Sequence, residues 1–181
     1  MRVCFTGHRP SKLPGGYAYH CEKNYELGRA LRKEILELIK NGANYFICGG
    51  ALGVDQIAFM VLQKLKKQGY NIQVEIAVPF RYQYIKWSEE QRKLYFQQIQ
   101  HADKVTYVDE LDTYSLSLPP RTYNVAKMEM RNRYMVDNAD VVIAVWNGST
   151  GGTKNCIDYA NKSKKKIVVI NSIFEKESDE I

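Results

Sequence analysis

Short apolar runs and amphipathic segments alternate along the whole chain, and this alternation constrains its fold more than any other feature. Strands are predicted at Arg2–Thr6, Tyr45–Cys48, Ile72–Val78, Lys104–Val108, Val141–Val145 and Ile167–Ile170, each short and mostly apolar. Helices are predicted between them at Glu22–Asn41, Val54–Gln68, Glu89–Ala102, Tyr123–Asn138 and Thr153–Lys162. Gly42 and Gly69 stop the first two helices, and Pro79 ends the third strand. Neighbouring parallel strands need a crossover of helical length, so this order reads as a parallel sheet covered on both faces. The expected architecture is α/β: a Rossmann-like three-layer sandwich with a mostly parallel central sheet.

A chain of 181 residues, 45% hydrophobic, can bury one well-packed core. A single domain is expected over 1–174, followed by a frayed acidic tail over 175–181. Cys4, Cys21, Cys48 and Cys156 are widely separated, with no C-x-x-C pair and no apolar leader before them. That pattern supports neither a disulfide framework nor a metal site and suits a reducing, cytoplasmic location. Apolar runs are strand-sized, so no membrane partner is expected. The net charge of +6 permits an anionic partner. Its densest run, "KSKKK" at Lys162–Lys166, falls where a helix ends, where cations complement the exposed carbonyls. No aromatic residues interleave it, as binders of single-stranded nucleic acid require.

In open parallel sheets ligands bind beyond the carboxyl ends of the strands, where strand order reverses. Two strand-end loops, "GGALGVD" and "WNGSTGGT", are glycine-rich and run directly into helices, which brings backbone N–H groups and a positive helix end close to an anion. The candidate ligand-binding residues here are Gly49, Gly50, Gly53 and Asp55 in one loop, and Asn147, Gly148, Ser149, Gly151, Gly152 and Thr153 in the other. Asp55 suits either a helix cap or a ribose hydroxyl. Either loop alone also reads as a plain strand-to-helix turn, but two on one sheet edge favour a nucleotide-type ligand. The first strand ends in Gly7, His8 and Arg9, where Arg9 is fitted to grip phosphate and His8 to hydrogen-bond or titrate near neutrality. There is no G-x-x-x-x-G-K-[ST] and no G-x-G-x-x-G after the first strand, so ATP hydrolysis and an ordinary NAD site lack support.

Arg131 and Arg133 lie two apart on a helix, so at most one faces a ligand. No catalytic residue is assigned; Glu129 and Arg131 stand as candidates. Arg81, Tyr82, Trp87 and Tyr123 serve either as stacking surfaces for a base or as packing anchors. The loop Asp109–Thr122 is long for a compact domain and suits a lid or an oligomer contact beside the site.

Taken together, "TGHRP", "CGGALGVD", "VPF" with a following Trp, and "MRNRYMVDNADVVIAVWNGSTGGT" resemble the YpsA-like branch of the SLOG superfamily. That superfamily includes the LOG phosphoribohydrolases and the DNA-processing protein DprA, and the resemblance runs from Val3 to about Val169. It implies a Rossmann-like fold with a nucleotide pocket formed by the glycine turns. Against the LOG pattern, Arg131 matches the helix arginine, Asp140 the aspartate at the next strand, and Gly152 with Thr153 the Gly-Thr pair. Trp146 replaces the proline, and Cys156 stands where LOG enzymes carry a glutamate that stabilises positive charge developing on the ribose. A neutral thiol cannot take that role. The expectation is therefore a module that senses or sequesters a nucleotide or nucleotide-derived small molecule (ADP-ribose, an NAD derivative or a cyclic nucleotide), without a catalytic cofactor. Two alternatives stand beside it: a LOG-type nucleotide N-glycosidase or phosphohydrolase, and single-stranded DNA binding as in DprA. A homo-oligomer is an open option.

Overall fold

A computed structural model describes residues 1–18 and 20–174, and the acidic tail expected over 175–181 lies outside the described residues. Six strands, β1 (Arg2–Gly7), β2 (Tyr45–Cys48), β3 (Gln73–Val78), β4 (Lys104–Tyr107), β5 (Val141–Val145) and β6 (Lys166–Ile170), form one sheet in the order β4-β3-β2-β1-β5-β6. Every neighbouring pair is parallel, so the sheet is wholly rather than mostly parallel. Five helices connect the strands: α1 (Glu22–Lys40), α2 (Val54–Lys67), α3 (Glu89–His101), α4 (Val125–Asp137) and α5 (Gly152–Lys162). The first three crossovers build outward from β1 to β4, and the chain then returns to the other side of β1 to lay down β5 and β6. The reversal between β1 and β5 is the topological switch point of the sheet.

Alternation along the strands sorts side chains into two layers. Val3 and Phe5 of β1, Phe46 and Cys48 of β2, and Ile143 and Val145 of β5 point into the larger core, where Leu27, Leu31 and Ile35 of α1 meet Ile57, Leu62 and Leu65 of α2. Cys4, Ile47 and Val142 face the opposite layer and pack on Tyr134, Met135 and Val136 of α4 with Cys156 and Ala160 of α5. Because both faces are covered, the central strands carry apolar residues at nearly every position. α4 begins at Val125 rather than Tyr123, because the Asn124 side chain accepts a hydrogen bond from the Ala126 N–H and caps the helix there. No helix among the described residues is long and apolar enough to cross a membrane.

One charged residue breaks the apolar pattern. Glu75 of β3 is fully buried on the α4 face, and its carboxylate accepts hydrogen bonds from Tyr45 Oη, Thr106 Oγ1 and Tyr134 Oη, all at 2.6 Å, with Lys104 Nζ 3.4 Å away. Burial pushes its pKa up, but the three hydroxyl donors and Lys104 outweigh burial and hold it below the ordinary value of 4.5. The stabilisation from this depressed group is fully present above pH 4.5 and is lost as pH falls through the folded-state pKa. Glu75→Gln is therefore expected to lower stability near neutrality by about 2–3 kcal/mol, or roughly 5–10 °C in Tm. Melting curves of the two proteins should converge as pH falls below 4.5, and a gap that persists unchanged into acid would contradict this role.

The long loop after β4 does not reach the switch point. A buried Lys127 holds it from α4, donating to Asp109 Oδ2 at 3.2 Å and to the Pro119 carbonyl at 2.9 Å, while Tyr114 Oη donates to Asp137 Oδ2 at 2.8 Å. Tyr114 also packs edge-on against Tyr134. These contacts fasten the loop against the flank of α4, and none of its residues lines the space at the switch point.

Candidate functional site

β1 and β5 stay paired to their last residues, Gly7 and Val145, and the loops that leave them border a cleft of about 250 Å³ at the switch point. Its walls come from the loop after β1, the start of α2, one face of α4 and the turn that opens α5. Of the residues singled out from sequence, Gly7, His8, Arg9, Asp55, Arg131, Gly151, Gly152 and Thr153 all line this cleft.

The turn "WNGSTGGT" is shaped by its own side chains. Trp146 Nε1 donates to the Ser149 carbonyl at 2.7 Å, and Asn147 Oδ1 accepts from the Ser149 N–H at 3.1 Å. Gly151 precedes α5 with φ of +132°, a backbone conformation that favours glycine, and no side chain caps the helix. α5 therefore opens toward the cleft with its first N–H groups uncapped and no acidic residue in its first turn. Asn147 and Gly148 turn away toward Val169 and Phe174 on the β6 side. Asn147 Oδ1 nevertheless also accepts from His8 Nε2 at 2.7 Å, tying the β1 loop to the β5 loop. Burial lowers the His8 pKa below its ordinary 6.5, Asn147 opposing and Lys12 reinforcing the shift, so the imidazole is neutral at pH 7.

Arg131 lies under the floor. It is 5% exposed, and its guanidinium donates from Nη1 to the Gly49 carbonyl and from Nε to Asn132 Oδ1 at 3.0 Å, with Asp55 Oδ2 3.8 Å from Nη1. Burial pulls its pKa down; Asp55 opposes this, and the nearby Arg9 adds to it. Arg133 points elsewhere and pairs with Glu129 at 2.7 Å on the exposed face of α4, so Glu129 takes no part in the cleft.

The second glycine loop is occupied by the protein itself. A Cβ at Gly49 would lie 2.1 Å from Arg131 Nη1, one at Gly50 would lie 2.8 Å from Ile76 Cγ2, and one at Gly53 would lie 2.5 Å from the His8 carbonyl oxygen. Gly49, Gly50 and Gly53 thus admit an arginine, a neighbouring strand and the first loop. None of the three lines the cleft, to which this loop contributes Ala51 and Asp55.

Other candidates lie away from it. Asp140 stands at the amino end of β5, where its Oδ2 accepts from the Arg2 N–H at 2.7 Å. Arg81 pairs with Glu110 and lies 4.0 Å over the Tyr107 ring, Trp87 packs edge-on against Tyr95, Tyr82 lies beside Tyr84, and Tyr123 meets Phe80. Cys156 is buried beneath α5 with its thiol pushed up to about 11 by burial, Thr6 and Arg131 pulling it partly back. At neutral pH it is a neutral filler and not a nucleophile.

Lys12 is the cleft cation that sequence reading missed. A short 3-10 turn, Pro10–Lys12, swings it across the opening so that Nζ reaches Ser149 Oγ at 3.4 Å and the Thr150 carbonyl at 3.2 Å. The signal was the cation three residues beyond Arg9, in a segment with no periodicity to read. The cleft thus carries Arg9, Lys12 and Arg131 against a single carboxylate, Asp55. The Arg9 side chain is exposed and forms no ion pair with a carboxylate among the described residues, so its charge is available. Arg9→Ala is expected to weaken binding of a phosphorylated ligand about tenfold with no change in Tm, as read by calorimetric titration beside a melting curve.

The fold has relatives among known proteins. Among solved structures, DNA processing protein A from Helicobacter pylori, studied for its single-stranded DNA binding mode, superposes with a TM-score of 0.58 at 21% identity, over 99% of this chain and 67% of its own. DNA processing protein A (DprA) from Streptococcus pneumoniae gives 0.63 at 14% identity, over 98% of this chain and 52% of its own. At these identities the likeness is one of fold. In sequence the chain is similar to the uncharacterized SPbeta prophage-derived protein YoqJ of Bacillus subtilis, 43% identical over 131 residues that make up 71% of this chain and 77% of that protein. It is also 28% identical to a UPF0398 protein of Halalkalibacterium halodurans over 91% of this chain and 80% of that one. The model of the YpsA family, described as the YspA SLOG family, matches residues 3–174, from the second residue of β1 to the turn after β6, and the chain belongs to that family.

Proposed function

We propose that the cleft binds a nucleotide or nucleotide-derived small molecule and that its phosphate sits on the N-terminus of α5. The carrying observation is the start of that helix: uncapped, free of acidic residues, and facing a cleft that also carries Arg9, Lys12 and Arg131. A volume of about 250 Å³ lies at the small end of ligand sites, which favours one nucleotide unit over a dinucleotide held end to end. Met128, partly exposed on α4, supplies an apolar surface for a base or sugar face.

The proposed role is binding rather than turnover. A LOG-type hydrolysis needs an unencumbered carboxylate at the ribose, and the residue at that place is Cys156, neutral and buried. Asp55 is the cleft's one carboxylate, and it rests against Arg131. Denaturing the purified protein and identifying any released nucleotide by mass spectrometry tests the proposal. Turnover of nucleoside monophosphates by pure protein would overturn the binding-only reading.

Single-stranded DNA is the second reading. It draws on the fold shared with a protein studied for that binding mode, and on the net charge of +6. Phosphate-backbone binding releases counterions, so affinity for an oligonucleotide should fall steeply with salt if this reading holds. Affinity indifferent to salt would exclude it.

A further inference from the structure

The cleft is electrostatically lopsided, and the asymmetry bears on what the ligand carries besides phosphate. Three cations and a helix N-terminus favour an anion, yet one carboxylate lines the same walls. A cleft built only for phosphate would be weakened by that charge. Asp55 is also held in place rather than free to swing away. Its Oδ2 accepts from the Ala51 N–H at 3.2 Å and faces Arg131 Nη1 at 3.8 Å, and its side chain is 12% exposed. Arg131 is itself fixed by the Gly49 carbonyl and Asn132. Oδ2 is thereby committed to the protein. Oδ1 has no hydrogen-bond partner among the described residues and is not sealed from solvent, in a residue that lines the cleft.

A rigid carboxylate oxygen with an open lone pair, set in a cleft that otherwise attracts anions, calls for a neutral hydrogen-bond donor on the ligand. Ribose hydroxyls are such donors, and they lie one sugar away from the 5′-phosphate of a nucleotide. A 2′,3′-dideoxy sugar offers neither. Resting on the phosphate placement proposed above, we infer that Asp55 Oδ1 accepts a hydrogen bond from a ribose hydroxyl of the ligand, and that the cleft selects nucleotides whose sugar carries its 2′ and 3′ hydroxyls over those that lack both. Arg131 acts through Asp55 as a positioning residue: it turns Oδ2 inward and leaves Oδ1 for the sugar.

Calorimetric titration with the four ribonucleoside 5′-monophosphates and their 2′,3′-dideoxy counterparts tests this. For the nucleotide that binds best, removal of both hydroxyls should cost about ten- to a hundredfold in affinity, the range for a hydrogen bond to a charged group. Asp55→Asn keeps the size of the side chain and an acceptor for Ala51 but loses the charge, and should shrink the gap to a few-fold, chiefly by raising affinity for the dideoxy form as a negative charge leaves the anion-binding cleft. Equal affinity of the wild-type protein for the ribo and dideoxy forms would overturn the role of Asp55 and leave the phosphate placement standing. Failure of all eight to bind would overturn the phosphate placement itself, and the inference with it. The wild-type comparison needs no variant, so it decides the matter even if Asp55→Asn folds poorly.

Discussion

Gly152→Asp is expected to reduce nucleotide affinity at least a hundredfold while leaving the melting temperature unchanged or slightly raised. Gly152 is the first residue of α5, and a Cβ built there meets no atom within 4 Å, so the larger side chain fits without disturbing the fold. Its backbone does not use the left-handed region, in contrast to Gly151 beside it. A carboxylate at the first position of a helix interacts favourably with the exposed N–H groups and helps the fold by a few tenths of a kcal/mol up to about 1. Those are the groups assigned to the ligand's phosphate, so the new charge occupies the site and repels the incoming anion. The variant thus moves stability and binding in opposite directions, a combination that general damage cannot produce. A folded Gly152→Asp protein with wild-type affinity would show that phosphate does not sit on α5.

Arg131→Ala is the second large effect, and it is expected chiefly in stability. The contacts of Arg131 are to the Gly49 carbonyl, Asn132 and Asp55, while Asp140 is at the far end of β5. Removing one partner of a buried pair strands the other charge, at a cost of about 3–5 kcal/mol. For a chain of this size that corresponds to roughly 10 °C or more in Tm. Arg131→Lys should recover only part of the loss, because one ammonium cannot reach Gly49, Asn132 and Asp55 together as the planar fork does. A melting temperature within 2–3 °C of wild type would contradict the bracing role and return Arg131 to direct ligand contact.

The strands were legible because a parallel strand buried on both faces must be apolar throughout; Val141–Val145 and Arg2–Gly7 could hardly be read otherwise. Glu75 is the exception that pattern could not explain, since its partners come from β2, β4 and α4, up to 59 residues away. The glycine-rich loops show where local reading stops. A glycine reports that something approaches the backbone closely, and not what approaches. At Gly49 it is Arg131, 82 residues away, and at Gly53 it is the His8 carbonyl. At Gly151 and Gly152 no protein atom fills the space beside the helix start, except Lys12 Nζ at 3.9 Å from the Gly151 position. The two loops look alike in sequence and differ in this one respect. Lys12 itself escaped notice because a three-residue 3-10 turn carries no repeating pattern.

The placement of phosphate at the start of α5 is most directly tested by following backbone amide resonances during titration with a nucleoside 5′-monophosphate. The account predicts that the N–H signals of Gly152, Thr153 and Lys154 shift and saturate together with the side-chain signals of Arg9, while those of Gly50 and Gly53 in the protein-filled loop stay within noise. Shifts confined to the other loop, or none at the start of α5 when the nucleotide is saturating, would contradict it.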